Sequence, residues 1–121
     1  MKSSSRRSVL VVDDEENFLT LLKWFLTERG FDIATTPSAE ESLDLVQQRP
    51  FDIALLDIKL GAVDGLSLLE SLTERQPGMK VIIMTAYPTV SSIRQAFDKG
   101  ASRYFTKPVD LQELSETIKS L

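Results

Sequence analysis

The chain contains neither cysteine nor histidine. The first absence excludes a disulfide framework, a thiolate nucleophile and a zinc–thiolate site. The second removes imidazole both as a general base and as a metal ligand. Chemistry in this chain must therefore use carboxylates, hydroxyls, lysine and a hard metal ion. Long apolar runs are lacking as well. The run behind the basic start MKSSSRR stops after four residues, too short for a signal peptide, and no stretch is fit to span a bilayer. Positive charge is the minority, 14 Lys and Arg against 18 Asp and Glu, for a net charge of −4. That balance argues against direct nucleic-acid binding, because a phosphate backbone has to be met by a basic patch. The expectation is a soluble, cytoplasmic domain with no membrane attachment.

At 121 residues the chain has room for one domain with a real core and too little for two. Short apolar runs occur at Val9–Val12, near Ile33 and Ala34, at Ile53–Leu56, at Val81–Met84 and, more weakly, at Tyr104 and Phe105. Helical spacing occupies about 17–29, 38–48, 65–75, 89–99 and 110–120. Five strand–helix units of this length predict an α/β domain, a parallel sheet with helices on both faces. Residues 1–8 read as a short polar tail and 9–121 as the domain. The strand IALL is apolar throughout, as a central strand buried on both faces should be. Gly30 and Gly100 stand where helices need a left-handed end, and Ser38 with Glu41 forms a capping-box pattern. Gln76-Pro77-Gly78 closes the third helix.

The stretch VVDDEE is the strongest local anomaly, since an apolar strand runs straight into four adjacent acids. In an open parallel sheet, ligands bind outside the carboxyl ends of the strands. The first strand ends at Asp13 and Asp14, the third at Asp57, the fourth at Thr85 and the fifth at Lys107-Pro108. Three carboxylates, a hydroxyl and an ammonium therefore converge on one edge. Like charges in one pocket disfavour one another unless a cation joins them. An all-oxygen site open to water suits Mg²⁺, and a carboxylate in a neutralised pocket can attack a phosphoryl group. Glu15 and Glu16 read instead as the solvated, acidic start of a helix.

VVDDEE, LLDIKLGAVDG, MTA and YFTKP, in that order and spacing, resemble the receiver domain of bacterial two-component response regulators, a CheY-like domain. The likeness runs from Val9 to about Leu121. It implies a flavodoxin-like (βα)5 fold with strand order 2-1-3-4-5. It implies that Asp57 accepts a phosphoryl group from the phosphohistidine of a sensor histidine kinase or phosphotransfer protein. Asp13, Asp14, Asp57 and the backbone carbonyl of Lys59 would hold Mg²⁺. Lys107 would pair with the phosphoryl oxygens, Thr85 would move to bond them, and Tyr104 would follow Thr85. The Lys107-Pro108 bond is cis in such domains. The output surface would be helix 4, strand 5 and helix 5, acting on an output domain or target, with a phosphorylation-dependent homodimer among its uses. Such a protein is a switch that catalyses its own phosphorylation and dephosphorylation, not a conventional enzyme.

The pattern departs from the family where Leu60-Gly61 replace the usual Met-Pro, and Gly61 should loosen the loop that carries Lys59. That keeps open a second reading, a receiver-like interaction module that is never phosphorylated. An aspartyl-phosphate phosphatase of the haloacid dehalogenase type would want an acid where Lys59 stands. Tyr87 and Lys59 flank the acceptor's entrance. Trp24 falls outside the apolar face of the first helix and is expected at the edge of the core, with docking of the kinase's helical hairpin as its alternative. Val90, Ile93, Ala96 and Phe97 have the spacing of a core-facing helix.

Overall fold

The computed structural model describes residues 6–60 and 63–121. Most of the expected polar tail, and Gly61 with its loosening effect, lie outside the described residues. The strands are β1 (Ser8–Val12), β2 (Asp32–Thr36), β3 (Ile53–Asp57), β4 (Lys80–Thr85) and β5 (Arg103–Thr106). The helices are α1 (Glu16–Glu28), α2 (Ala39–Gln48), α3 (Gly65–Arg75), α4 (Val90–Asp98) and α5 (Leu111–Ser120). The five strands form one parallel sheet in the order β2-β1-β3-β4-β5. A two-residue antiparallel ribbon, Lys59–Leu60 against Val63–Asp64, stands apart from the sheet between β3 and α3. No helix among the described residues is long and apolar enough to cross a membrane.

The sheet divides the core in two because successive side chains on a strand point to opposite faces. Val9, Val11, Ile53, Leu55, Ile82 and Met84 pack with Leu19, Leu22 and Leu26 of α1 and Leu114 and Ile118 of α5. Leu10, Val12, Ala54, Leu56, Val81 and Ile83 pack on the other side with Val46 of α2, four leucines of α3 and Ala96 of α4. Both faces are covered, so the central strands have no polar side to show. Burial of this apolar surface, at about 25 cal/mol per Å², is the main force holding the sheet to its helices.

The helix ends follow local chemistry. Gly30 and Gly100 take φ of 93° and 110°, a backbone conformation that other residues adopt at a cost. Only half of the expected box at α2 forms. Ser38 accepts the Glu41 N–H at 3.1 Å, but the Ser38 N–H goes to Thr36 Oγ1, and the Glu41 carboxylate accepts from the Thr36 hydroxyl. A full box appears at α4 instead, between Thr89 and Ser92.

Two expectations about apolar faces need correction. On α4 only Ala96 is fully buried, whereas Val90 is 80% and Phe97 47% exposed. The helix is nine residues long and packs at the edge of the sheet, where only its most inward position is covered. Trp24 does not shield the edge of the core either. It stays 62% exposed, beside a groove that Thr20, Thr27 and Pro37 also line.

Gly65, the first residue of α3, lies directly on the backbone that leaves β3. Its N–H donates to the Ile58 carbonyl at 2.7 Å. A Cβ at this position would stand 2.4 Å from that oxygen, 2.5 Å from Ile58 Cα and 2.6 Å from the Asp57 carbonyl oxygen. These neighbours are main chain and cannot swing away, so a side chain here must push α3 off the end of β3. Gly65→Ala should lower unfolding stability by roughly 2–4 kcal/mol, read as a fall in the urea midpoint at unchanged m-value.

Candidate functional site

The ends of β1, β2, β3 and β4 each carry a polar side chain, and these four are tied down in the same way. Asp13 Oδ1 accepts the Glu15 N–H at 3.0 Å, and Asp57 Oδ1 accepts the Lys59 N–H at 3.0 Å. Thr36 Oγ1 takes the Ser38 N–H at 3.1 Å, and Thr85 Oγ1 takes the Tyr87 N–H at 3.2 Å. An Asp or Thr bonded to the amide two residues on turns the chain sharply off the sheet. The same bond fixes the rotamer and leaves the second carboxylate oxygen of each Asp aimed at the edge.

Those second oxygens meet one cation. Lys107 Nζ donates to Asp13 Oδ2 at 2.7 Å and to Asp57 Oδ2 at 3.0 Å. Lys107 follows β5, and its own N–H bonds the Thr85 carbonyl at 2.8 Å, so the chain end is pinned to β4 before the side chain reaches across it. The Lys107-Pro108 peptide is cis. Asp13 is wholly inaccessible and Asp57 is 7% exposed, whereas Asp14 is exposed. One carboxylate oxygen from each of Asp13, Asp14 and Asp57 lies within 4.8 Å of the other two.

This arrangement fits a hard divalent ion. The donors are all oxygen, and three carboxylates meet at one edge, two of them sharing a single ammonium. Burial raises the Asp13 pKa above its usual value, against the hydrogen bonds from Lys107 and the Glu15 amide and the charge of Lys107; the Asp57 charge adds to the rise. Burial works to lower the pKa of Lys107, but its hydrogen bonds to Asp13 and Asp57 and their charges outweigh it and raise the value overall.

Thr85 and Tyr104 belong to the opposite face of the sheet. Thr85 is 1% exposed, and β4–β5 register pairs Ile83 with Tyr104 and Thr85 with Thr106. Alternation puts Thr85 on the side of Ile83 and hence of Tyr104, whose ring packs against the α2–α3–α4 cluster. The Tyr104 hydroxyl lies 3.3 Å from Ser92 Oγ, within the α4 cap. At the mouth, Lys59 Nζ stands 4.9 Å from the centre of the Tyr87 ring. Of the expected set, the structure joins Asp13, Asp14, Asp57 and Lys107 directly and brings in Lys59 through its amide. Sequence reasoning missed Gly65 and Phe18, whose ring lies 4.6 Å from Lys107 Nζ. The DG in LLDIKLGAVDG marks the first; nothing local marks the second.

The family model of the response regulator receiver domain matches residues 9–119. The chain belongs to that family. It is 34% identical over 111 residues to the transcriptional regulatory protein ZraR of Escherichia coli O157:H7, covering 92% of this chain and 25% of that protein. The chain thus spans about a quarter of that relative's length. A CheY-like receiver domain protein from Methanospirillum hungatei superposes with a TM-score of 0.92 at 34% identity, covering 96% of this chain and 93% of that one. A response regulator from Burkholderia pseudomallei, whose crystal structure holds a phosphorylated aspartic acid, a calcium ion and citrate, superposes with a TM-score of 0.86. Its identity is 27%, over 94% of this chain and 71% of that one. Receiver domains are signalling switches rather than conventional enzymes.

The raised Asp13 pKa has a measurable consequence. A carboxyl group whose native pKa exceeds its unfolded one costs stability at every pH where it is ionised in the fold. Asp13→Asn should therefore melt higher than the metal-free wild type at pH 7–8, by at least about 2 °C in a thermal scan. The advantage should shrink as pH falls through the raised native value toward the unfolded 3.8, where the wild-type side chain is itself neutral.

Proposed function

We propose that this domain is a phosphorylation-controlled switch whose acceptor is Asp57. The sharing of the Lys107 ammonium between Asp57 and Asp13, within a group of three carboxylates at the sheet edge, carries the reading. Phosphoryl transfer asks a protein for positioning and charge neutralisation, and these residues supply both. An oxygen of Asp57 attacks phosphorus on the donor phosphohistidine. The Asp57 O–P bond forms as the N–P bond breaks, and the leaving imidazole nitrogen keeps the bonding pair. The Lys59 amide holds the carboxylate in line, and Lys107 follows the transferring oxygens. Asp13, Asp14, Asp57 and the Lys59 carbonyl are the groups to hold Mg²⁺, which when bound neutralises the remaining charge on carboxylates and phosphoryl oxygens. Water later attacks phosphorus, the Asp57 O–P bond breaks, and inorganic phosphate leaves.

The readout runs through the other face. The Thr85 hydroxyl turns to donate to a phosphoryl oxygen and loosens its tie to the Tyr87 amide. Tyr104, its neighbour on that face, then takes a second position, and the surface of α4, β5 and α5 shifts between two populations. The exposed Val90 and Phe97 belong to this surface and suit a target protein, an output domain or a second copy formed on phosphorylation. The donor is a sensor histidine kinase or phosphotransfer protein in the cytoplasm, because this chain has no histidine. The greater length of ZraR supports control of an output module, to which any contact with DNA would belong.

Acetyl phosphate with Mg²⁺ should add one phosphoryl group to the wild type, measured by intact mass, and none to Asp57→Asn or without metal. Its absence under every condition would leave the unphosphorylated interaction module. Lys107→Met should slow the reaction about 100-fold while leaving the adduct possible, followed as adduct mass against time.

A further inference from the structure

We infer that Phe18 is a positioning residue for Lys107, holding the ammonium on its ring while phosphoryl transfer to Asp57 proceeds. The inference rests on the reading of Asp57 as acceptor. Lys107 Nζ lies 4.6 Å from the centre of the Phe18 ring and donates to Asp13 Oδ2 at 2.7 Å and to Asp57 Oδ2 at 3.0 Å. Phe18 sits in the first turns of α1, half-buried and packed against the α1–α5 core, so its ring is fixed by the fold rather than by Lys107.

A four-carbon stem loses much rotamer freedom when its head is held in one place, so the head needs support that lasts through the reaction. The two carboxylates cannot give it alone. As the Asp57 O–P bond forms and the donor's bond breaks, the ammonium has to leave Asp13 and follow the phosphoryl oxygens. A hydrogen-bonding partner on the third side would resist that shift, because such bonds are directional. An aromatic face attracts a cation over its whole area. Lys107 can slide toward the new charge without losing the ring. The Lys107 side chain is only 16% exposed at this edge, and partial exclusion of water strengthens its pull on the transferring group.

The test compares wild type, Phe18→Leu and Phe18→Tyr with acetyl phosphate and Mg²⁺, a donor too small to depend on protein docking at α1. Acetate leaves with the bonding pair of its O–P bond as the bond to Asp57 forms, and intact mass gives the rate. Phe18→Leu, apolar but without the ring, should react roughly 3- to 10-fold more slowly, and Phe18→Tyr should stay within about 2-fold of wild type. Mg²⁺ affinity by calorimetry should be the same in all three. Independently of phosphorylation, the Lys107 ε-methylene protons should show an upfield ring-current shift in wild type and Phe18→Tyr that Phe18→Leu lacks. Equal rates for wild type and Phe18→Leu, equal slowing in both variants, or no ring-current shift would each overturn the inference. A wild type that takes no phosphoryl group would overturn the acceptor reading instead, while the ring-current shift would still decide whether Phe18 holds Lys107.

Discussion

One ammonium shared by two buried carboxylates ties the edge of this sheet together. Asp13 is wholly inaccessible, and without Lys107 it would be an unpaired charge out of reach of water. The two residues lie 94 positions apart in the chain, so the contact exists only because the crossovers bring β1, β3, β4 and β5 side by side in that order. The exposed Asp14 brings a third carboxylate to the same edge, within 4.8 Å of the two that share the ammonium. Stability is sacrificed at this edge, and the two-sided apolar core beneath it makes up the difference.

The sheet sorts its polar groups by parity. Asp57 shares the α1–α5 face with Ile53 and Leu55, and Lys107 and Phe18 gather there. Thr85 shares the other face with Val81 and Ile83, alongside Tyr104. The group that pairs with the ammonium and the groups that face α4 are thus on opposite sides of one layer of backbone. The repeated bond from each strand-end side chain to the amide two residues on keeps this sorting sharp, because it removes the rotamer freedom that would blur it.

Much of this was legible in the residues. Strands such as IALL, apolar on both faces, announce a covered parallel sheet, and Gly30 and Gly100 mark helix ends through a backbone conformation that sequence alone suggests. The acids at the strand ends could be read because a carboxylate next to a buried strand has few structural uses. Where reading failed, the deciding neighbour was remote in sequence or the local rule had a competitor. Ser38 pointed to a box that Thr36 partly pre-empted, and the real box at α4 uses Ser92 where a longer acid or amide is the usual sign. Helical spacing could not show that α4 lies at an edge with Val90 and Phe97 uncovered; it did put Trp24 off the apolar face of α1, but could not show that it is as much as 62% exposed. Gly65 and Phe18 matter through what they touch, and Asp57, Ile58 and Lys107 come against them only in the folded chain.

The bond between Tyr104 and Ser92 has a consequence in proton counting. A serine hydroxyl owns one proton. Ser92 Oγ lies 3.0 Å from the Thr89 carbonyl and 3.3 Å from the Tyr104 hydroxyl, and it also accepts the Thr89 N–H at 3.1 Å. If its proton goes to the carbonyl, the phenol must be the donor in the contact with the ring. The helix cap then closes upon itself with every proton of its own, and the tyrosine is a guest that contributes the only proton it uses. Such a guest can depart without leaving an orphan behind. The start of α4 is thereby spared a broken cap, and the phenol's share in it amounts to a single hydrogen bond, separate from the packing of its ring.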